Sequence, residues 1–168
     1  MLIQFKNEIG KLIGKNCWGV VAGQGNGSMV TLHIGEKVKR SQPLRNEKLS
    51  QDLRVFQGEF CVFIKGCSWR FEHTKCIKCS WRQEENVLVQ ALKPFNEGLR
   101  ILKITAKDVF LDLAIEFENQ YSLFLFCDQM PIDQGIDNYS IRTPSGWFTV
   151  GPKNVLSFEA TKLKKEAA

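Results

Sequence analysis

The sequence predicts a β-rich α+β fold made of two diverged copies of one unit, each a helix followed by antiparallel strands that pack together. Three observations predict it. Short segments alternate between apolar and polar residues, two segments have helical spacing instead, and the order of segments in residues 1–83 recurs in residues 84–168. Two such units can bury each other's apolar faces, so the halves together form one globular domain.

The first half begins with a helix, because apolar residues between 2 and 13 recur at helical spacing and Gly14 is a stop signal. Strands are predicted at 17–22, 29–34, 60–64, 68–72 and 76–81, with a glycine-rich turn at 23–27 and a long polar loop at 35–58 that holds a short helix near 47–56. In the strand at 29–34, Leu32 and Ile34 share the buried face, which points His33 to solvent.

The second half repeats this order. A helix is predicted at 84–96, where Leu88, Leu92 and Phe95 share one face. Strands follow at 99–105, 110–117, 121–126, 138–142, 147–150 and 154–159, with a tight turn at 118–119 and a loop at 128–137.

Charge divides the chain unevenly. Residues 1–83 carry 14 Lys or Arg and 6 Asp or Glu, whereas residues 84–168 carry 9 and 12. Surfaces of opposite sign can orient a charged partner, although a solvated face is the commoner meaning of such a pattern. The N-terminal segment carries Lys6, Glu8 and Lys11 and has no small-residue cleavage site, so we expect a cytoplasmic protein with reduced thiols and no membrane segment.

Cysteines and a histidine form the one dense group of metal-ligand residue types in the sequence: Cys61, Cys67, His73, Cys76 and Cys79. A zinc site would use the last four. Cys76 and Cys79 have the spacing of a zinc knuckle. On an extended strand, however, they would point to opposite faces. Buried structural thiols are therefore favoured over a zinc-stabilised module, and no cofactor is predicted.

Catalytic chemistry has little support in the sequence. There are only two histidines, and nothing orients His73 as a base toward the Cys67 thiol. The pattern therefore predicts a protein that is not an enzyme.

A basic segment lies within the long polar loop and includes Lys37, Lys39, Arg40 and Arg45. Clustered cations can bind nucleic acid, but this segment has no aromatic residue before Phe56. A solvated loop is therefore favoured over an alternative role as a nucleic-acid-associated accessory protein. A long loop on a rigid sheet still suits a binding surface.

The loop at 128–137 combines three carboxylates with apolar side chains: Asp128, Met130, Ile132, Asp133 and Asp137. Its spacing is not that of a calcium loop. An acidic patch with exposed apolar residues is typical of a protein contact.

Three segments carry a family resemblance: CWGVVAGQGNGSMVTLHIGEK, GEFCVFIKGCSWRFE and FCDQMPIDQGIDNYSIRTPSGWFTVGPKNVLSFE. They resemble small bacterial cytosolic domains, and the closing pattern is similar to immunity proteins of polymorphic-toxin and contact-dependent inhibition systems. The resemblance implies a non-catalytic inhibitor that binds a bacterial toxin domain and occludes its active site. It assigns no functional residue, because such proteins bind through variable surfaces, and it leaves the oligomeric state open. Many inhibitors of nucleases are acidic, whereas this chain is basic, so a nuclease partner would require contact through the 128–137 loop.

Overall fold

The computed structural model describes residues 1–23, 29–107, 109–129 and 135–161. The helices are α1 (Leu2–Gly10), α2 (Gln51–Val55), α3 (Glu85–Ala91) and α4 (Lys93–Glu97). The strands are β1 (Asn16–Ala22), β2 (Val30–Lys39), β3 (Phe56–Ile64), β4 (Ser68–His73), β5 (Cys76–Ser80), β6 (Leu99–Ala106), β7 (Leu113–Phe117), β8 (Tyr121–Phe126), β9 (Tyr139–Thr143), β10 (Gly146–Val150) and β11 (Leu156–Ala160). The predicted α+β, strand-rich class is confirmed. The turn at 23–27 lies largely outside the described residues.

All the described strands join one antiparallel sheet in the order β11-β10-β9-β3-β2-β1-β6-β7-β8-β4-β5. At its centre, β1 and β6 share only the pairs Asn16 with Arg100 and Cys17 with Leu99. On one side β3 pairs with β9, and on the other β8 pairs with β4. The β4–β5 hairpin from the first half of the chain therefore completes the sheet formed by β6, β7 and β8.

Helices α1 and α4 pack against the inner face of the sheet, the face that carries the main hydrophobic core. Phe5 of α1 lies 5.5 Å from Phe148 of β10, measured between ring centroids. Phe95 of α4 lies 4.8 Å from Phe71 of β4 and 5.2 Å from Phe117 of β7. These rings belong to one hydrophobic core, which extends along the sheet from β10 to β5. Each long helical segment thus contacts strands that are distant from it in sequence.

Two predicted boundaries are wrong in an informative way. The helix predicted at 84–96 is split at Leu92, because Pro94 has no amide hydrogen to donate to the carbonyl one turn earlier. The loop predicted at 35–58 is too long, since β2 continues to Lys39 and β3 already begins at Phe56. A β-bulge between Ile34 and Lys37 lets the two strands stay paired across this polar stretch.

Candidate binding surfaces

A cysteine–histidine pair lies on the outer face of β2 and β3. The Cys61 thiol is 3.4 Å from Nδ1 of His33, and the Gly58 amide donates to the same nitrogen at 3.2 Å. Trp18 stacks on the imidazole with ring centroids 5.4 Å apart. His33 is only 2% exposed, so the prediction that it faces solvent is wrong. The reason is that the segment carrying α2 folds back over this face, placing Leu53 against β1.

The electrostatics of this pair do not favour a reactive thiolate. Burial, and then the positive charges of Arg40 and Arg142, lower the pKa of His33 to about 3. Burial raises the pKa of Cys61, although Arg142 opposes that shift. Because the imidazole is a very weak base and the thiol a very weak acid, the proton stays on sulfur at neutral pH. The geometry suits a hydrogen-bonded structural pair.

The four residues of the predicted zinc alternative are not brought together. Cys67 and Cys79 are buried, whereas Cys76 is exposed. His73 pairs across the hairpin with Cys76 and stacks on Tyr121 at 4.3 Å between centroids. Across the described parts of the chain, no three His, Cys, Asp or Glu side chains are placed to hold a metal ion.

Two cations of the basic segment are engaged within the chain. Lys37 forms an ion pair with Asp52 of α2. Arg40 donates from Nε to the Phe56 carbonyl at 3.0 Å and from Nη1 to Gln57 at 3.3 Å. Both side chains therefore hold the α2 segment and β3 in place.

The other two predicted cations, Lys39 and Arg45, are exposed. Neither side chain makes a hydrogen bond or ion pair with any residue that the structure describes. Among these four cations only Lys37 has its charge balanced by an ion pair within the described residues, because the partners of Arg40 are a carbonyl and a neutral side-chain amide.

The acidic loop is tied to the start of β4. Asp128 accepts hydrogen bonds from the amide of Ser68, at 3.1 Å, and from its hydroxyl. Asp137 forms an ion pair with Lys65 at 2.7 Å. The remaining predicted contacts lie outside the described residues: Met130, Ile132 and Asp133. Of the described carboxylates, Asp128 is the more exposed and Asp137 is half-buried.

The outer face of β4 and β8 carries an aromatic and cationic cluster. The guanidinium of Arg70 lies over the rings of Phe124 and Phe126, 5.1 and 5.2 Å from their centroids. It also pairs with Glu72 at 2.5 Å, yet its side chain remains 43% exposed. Asp128 continues the outward phase of β8 beyond Phe126, so it extends the same surface.

The sequence of β8 indicates this cluster, because the strand carries large apolar residues on both faces, although the alternation of residue types predicts only one buried face for each strand. In β8, Leu123 and Leu125 fill the buried phase, and Phe124 and Phe126 fill the outward phase. A strand that is apolar on both phases must have neighbours on both faces. Here the outward phenylalanines are covered only in part, by a charged side chain.

Comparison with known proteins finds no match among protein-family models, curated proteins or solved structures. Among the described helices, none has the length and apolar character required to cross a bilayer.

Proposed function

We propose that the chain is a non-catalytic inhibitor that binds a folded protein, namely a bacterial toxin domain whose active site it occludes. The observation that carries the protein-binding part is the partly exposed cluster of Arg70, Phe124 and Phe126 beside Asp128. Phenylalanine and arginine are enriched in protein interfaces, and both act there as anchors in desolvated pockets. The resemblance to immunity proteins supports a toxin as the partner.

The charges around the cluster favour a protein over a nucleic acid. Arg70 is paired with Glu72, and Glu116 of β7, the strand next to β8, is paired with Lys103 of β6 at 3.1 Å. Asp128 adds a further negative charge. A polyphosphate backbone requires an excess of cations, whereas balanced charge around an aromatic centre suits the polar rim of a protein interface.

The proposal also includes an internal duplication of the chain and the compartment in which the protein works. The halves 1–83 and 84–168 are diverged copies, which is supported by the equivalent orders β1-β2-β3-β9-β10 and β6-β7-β8-β4-β5 in the sheet. We place the protein in the cytoplasm, a compartment that ordinarily keeps thiols reduced, since all six cysteines are free in the structure.

Binding to the product of the adjacent gene tests the proposal. We expect a one-to-one complex. Arg70→Ala and Phe124→Ala should each raise its dissociation constant about tenfold or more, as measured by calorimetry. Arg45→Ala and Phe110→Ala are matched controls, because both side chains are exposed elsewhere on the chain. They should leave binding unchanged.

Two outcomes would overturn the proposal. If the control substitutions weaken binding while Arg70→Ala and Phe124→Ala do not, the β4–β8 surface is not the interface. If the adjacent product does not bind, and the chain instead shifts an oligonucleotide in a salt-sensitive manner that Arg45→Ala abolishes, the nucleic-acid role of the basic segment replaces the inhibitor role.

A further inference from the structure

Cys67 and Cys127 lie just beyond the last pair of the β4–β8 ladder, at positions that its register places opposite each other. The ladder pairs Phe71 with Leu123, Trp69 with Leu125 and Ser68 with Phe126. One further step in this register places Cys67 across from Cys127. Both cysteines fall in the inward phase of their strands, and both pack into the main core.

Hydrogen bonds show which kind of cross-strand pair this is. The amide of Cys127 donates to Asp112 at 2.8 Å, on the side of β7, and therefore points away from β4. In β4 the carbonyl of Trp69 accepts a hydrogen bond from the amide of Trp81, on the side of β5. Cys67 lies two residues before Trp69, so its backbone groups also point toward the β5 side and away from β8. The cysteines thus form a non-hydrogen-bonded pair, for which Cα atoms lie roughly 4.5 Å apart and side chains approach most closely. That separation is within the range that a disulfide spans, about 4.4 to 6.8 Å.

Contacts on both sides of the pair hold the two segments together. Asp128 accepts from the Ser68 amide at 3.1 Å, and the side chain of Gln129 donates to the Gly66 carbonyl. The segments cannot separate at the cysteines without breaking these bonds. The geometry is therefore set before any covalent bond forms.

We propose that Cys67 and Cys127 are a redox-modification site, in which exchange with a small-molecule disulfide converts the two thiols into a cross-strand disulfide. The Cys127 thiolate, the more exposed of the two, attacks one sulfur of the reagent, which forms a mixed disulfide and releases one reagent thiolate. The Cys67 thiolate then attacks the Cys127 sulfur and releases the second. The protein loses two electrons and two protons, and one reagent disulfide becomes two thiols.

The site is specific among the six cysteines. Cys17 and Cys61 lie on β1 and β3, with β2 between them, so about two strand spacings separate them and a disulfide cannot form without backbone movement. The exposed Cys76 lies opposite His73. The exchange should also be slow at neutral pH, because burial, followed by the charges of Asp112 and Asp128, raises the pKa of Cys127 to about 12.

Treatment of the purified chain with oxidised glutathione tests the site. After alkylation of the remaining thiols and digestion, mass spectrometry should find the Cys67 and Cys127 peptides linked, in the wild type and in the matched control Cys76→Ser. Cys67→Ser should stop at glutathione on Cys127. The linked form should melt roughly 10 °C higher, an increase that dithiothreitol reverses, because the bond closes a long loop.

Cys76 serves as an internal measure of reagent access, since its exposed thiol forms a mixed disulfide in the same reaction. If Cys76 is fully modified while Cys67 and Cys127 both remain open to alkylation after denaturation, the proposal is overturned. A link from Cys67 to any other cysteine would overturn it as well.

Discussion

At the scale of single residues, His33 illustrates how hydrogen bonding fixes a protonation state. Its Nδ1 accepts from the Gly58 amide, so the proton of the neutral ring is on Nε2. That nitrogen is buried and finds no hydrogen-bond partner among the described protein atoms. A second proton would have to displace the Gly58 bond and would place a positive charge near Arg40 and Arg142. The fold therefore stabilises the neutral ring.

This arrangement predicts a loss of stability in mild acid. The pKa of His33 is about 3 in the fold against 6.5 in an open chain, so below pH 6.5 the unfolded state binds more protons than the folded state. The free energy of unfolding should fall by up to about 1.4 kcal/mol for each pH unit between 6.5 and 3. Urea titrations at pH 7, 6 and 5 measure this slope. His33→Gln should flatten it, and an unchanged slope in that variant would show that other groups are responsible.

At the scale of elements, the paired extension of β2 and β3 shows why the loop prediction was too long. The stretch after Ile34 is charged, which is typical of a loop, but strand pairing uses backbone groups and needs no apolar side chain. Two glycines make the bulge possible. Gly35 has a φ of +77°, and a Cβ on Gly58 would lie closer than 3.0 Å to backbone atoms of Ile34 and Phe60. Sequence alternation cannot reveal such a close backbone approach.

Gly58→Ala should therefore destabilise the protein. The added methyl group meets backbone atoms, which cannot rotate away as a side chain would, and we expect a loss of about 3 kcal/mol in the free energy of unfolding. Gly10→Ala is the matched control, because the last residue of α1 has open space around its Cα. It should gain about 0.5 kcal/mol. Urea unfolding measures both, and equal values for the two variants would contradict the bulge argument.

The α2 segment packs Leu53 beside Gly19 and His33, and His33 in turn contacts the Cys61 thiol, so weakening this segment should open the face that carries the pair. Leu53 is nearly buried and packs with Val21 and Leu49 in a small cluster separate from the main core. Leu53→Ala should cost about 2 kcal/mol and make Cys61 reactive toward a thiol reagent under native conditions. Leu44→Ala, in the same segment but exposed, should change neither property. Rapid labelling of Cys61 in the wild type would show that the segment does not protect it.

At the scale of the whole molecule, the halves of the chain depend on each other for strand pairing. In the described structure, β4 pairs only with β5 and β8, and β9 pairs only with β3 and β10. The direct junction between β1 and β6 contains just two residue pairs. The β4–β5 hairpin, which pairs with β8, and the β9–β10 hairpin, which pairs with β3, therefore supply most of the contact between residues 1–83 and 84–168, together with the shared core.

Division of the chain after residue 83 should give two fragments that fold only together. Each fragment alone lacks the strands that complete its sheet and leaves long unpaired edges. We expect neither to give cooperative unfolding by circular dichroism, and an equimolar mixture to form a one-to-one complex with the spectrum of the intact chain. A fragment 1–83 that is monomeric and folds cooperatively would mean that β4 can pair with β3 instead.

The sequence by itself determined the element types and which face of most strands is buried. Periods of two and 3.6 residues follow from backbone geometry, and burial of apolar side chains selects one phase of each. Tertiary structure alone decided that β4 joins β8 and β9 joins β3, because alternation specifies a face and not the edge with which a strand pairs. It also decided that α2 buries His33, which lies in the polar phase of its strand. Both outcomes depend on contacts between distant segments, and no local pattern in the chain encodes them.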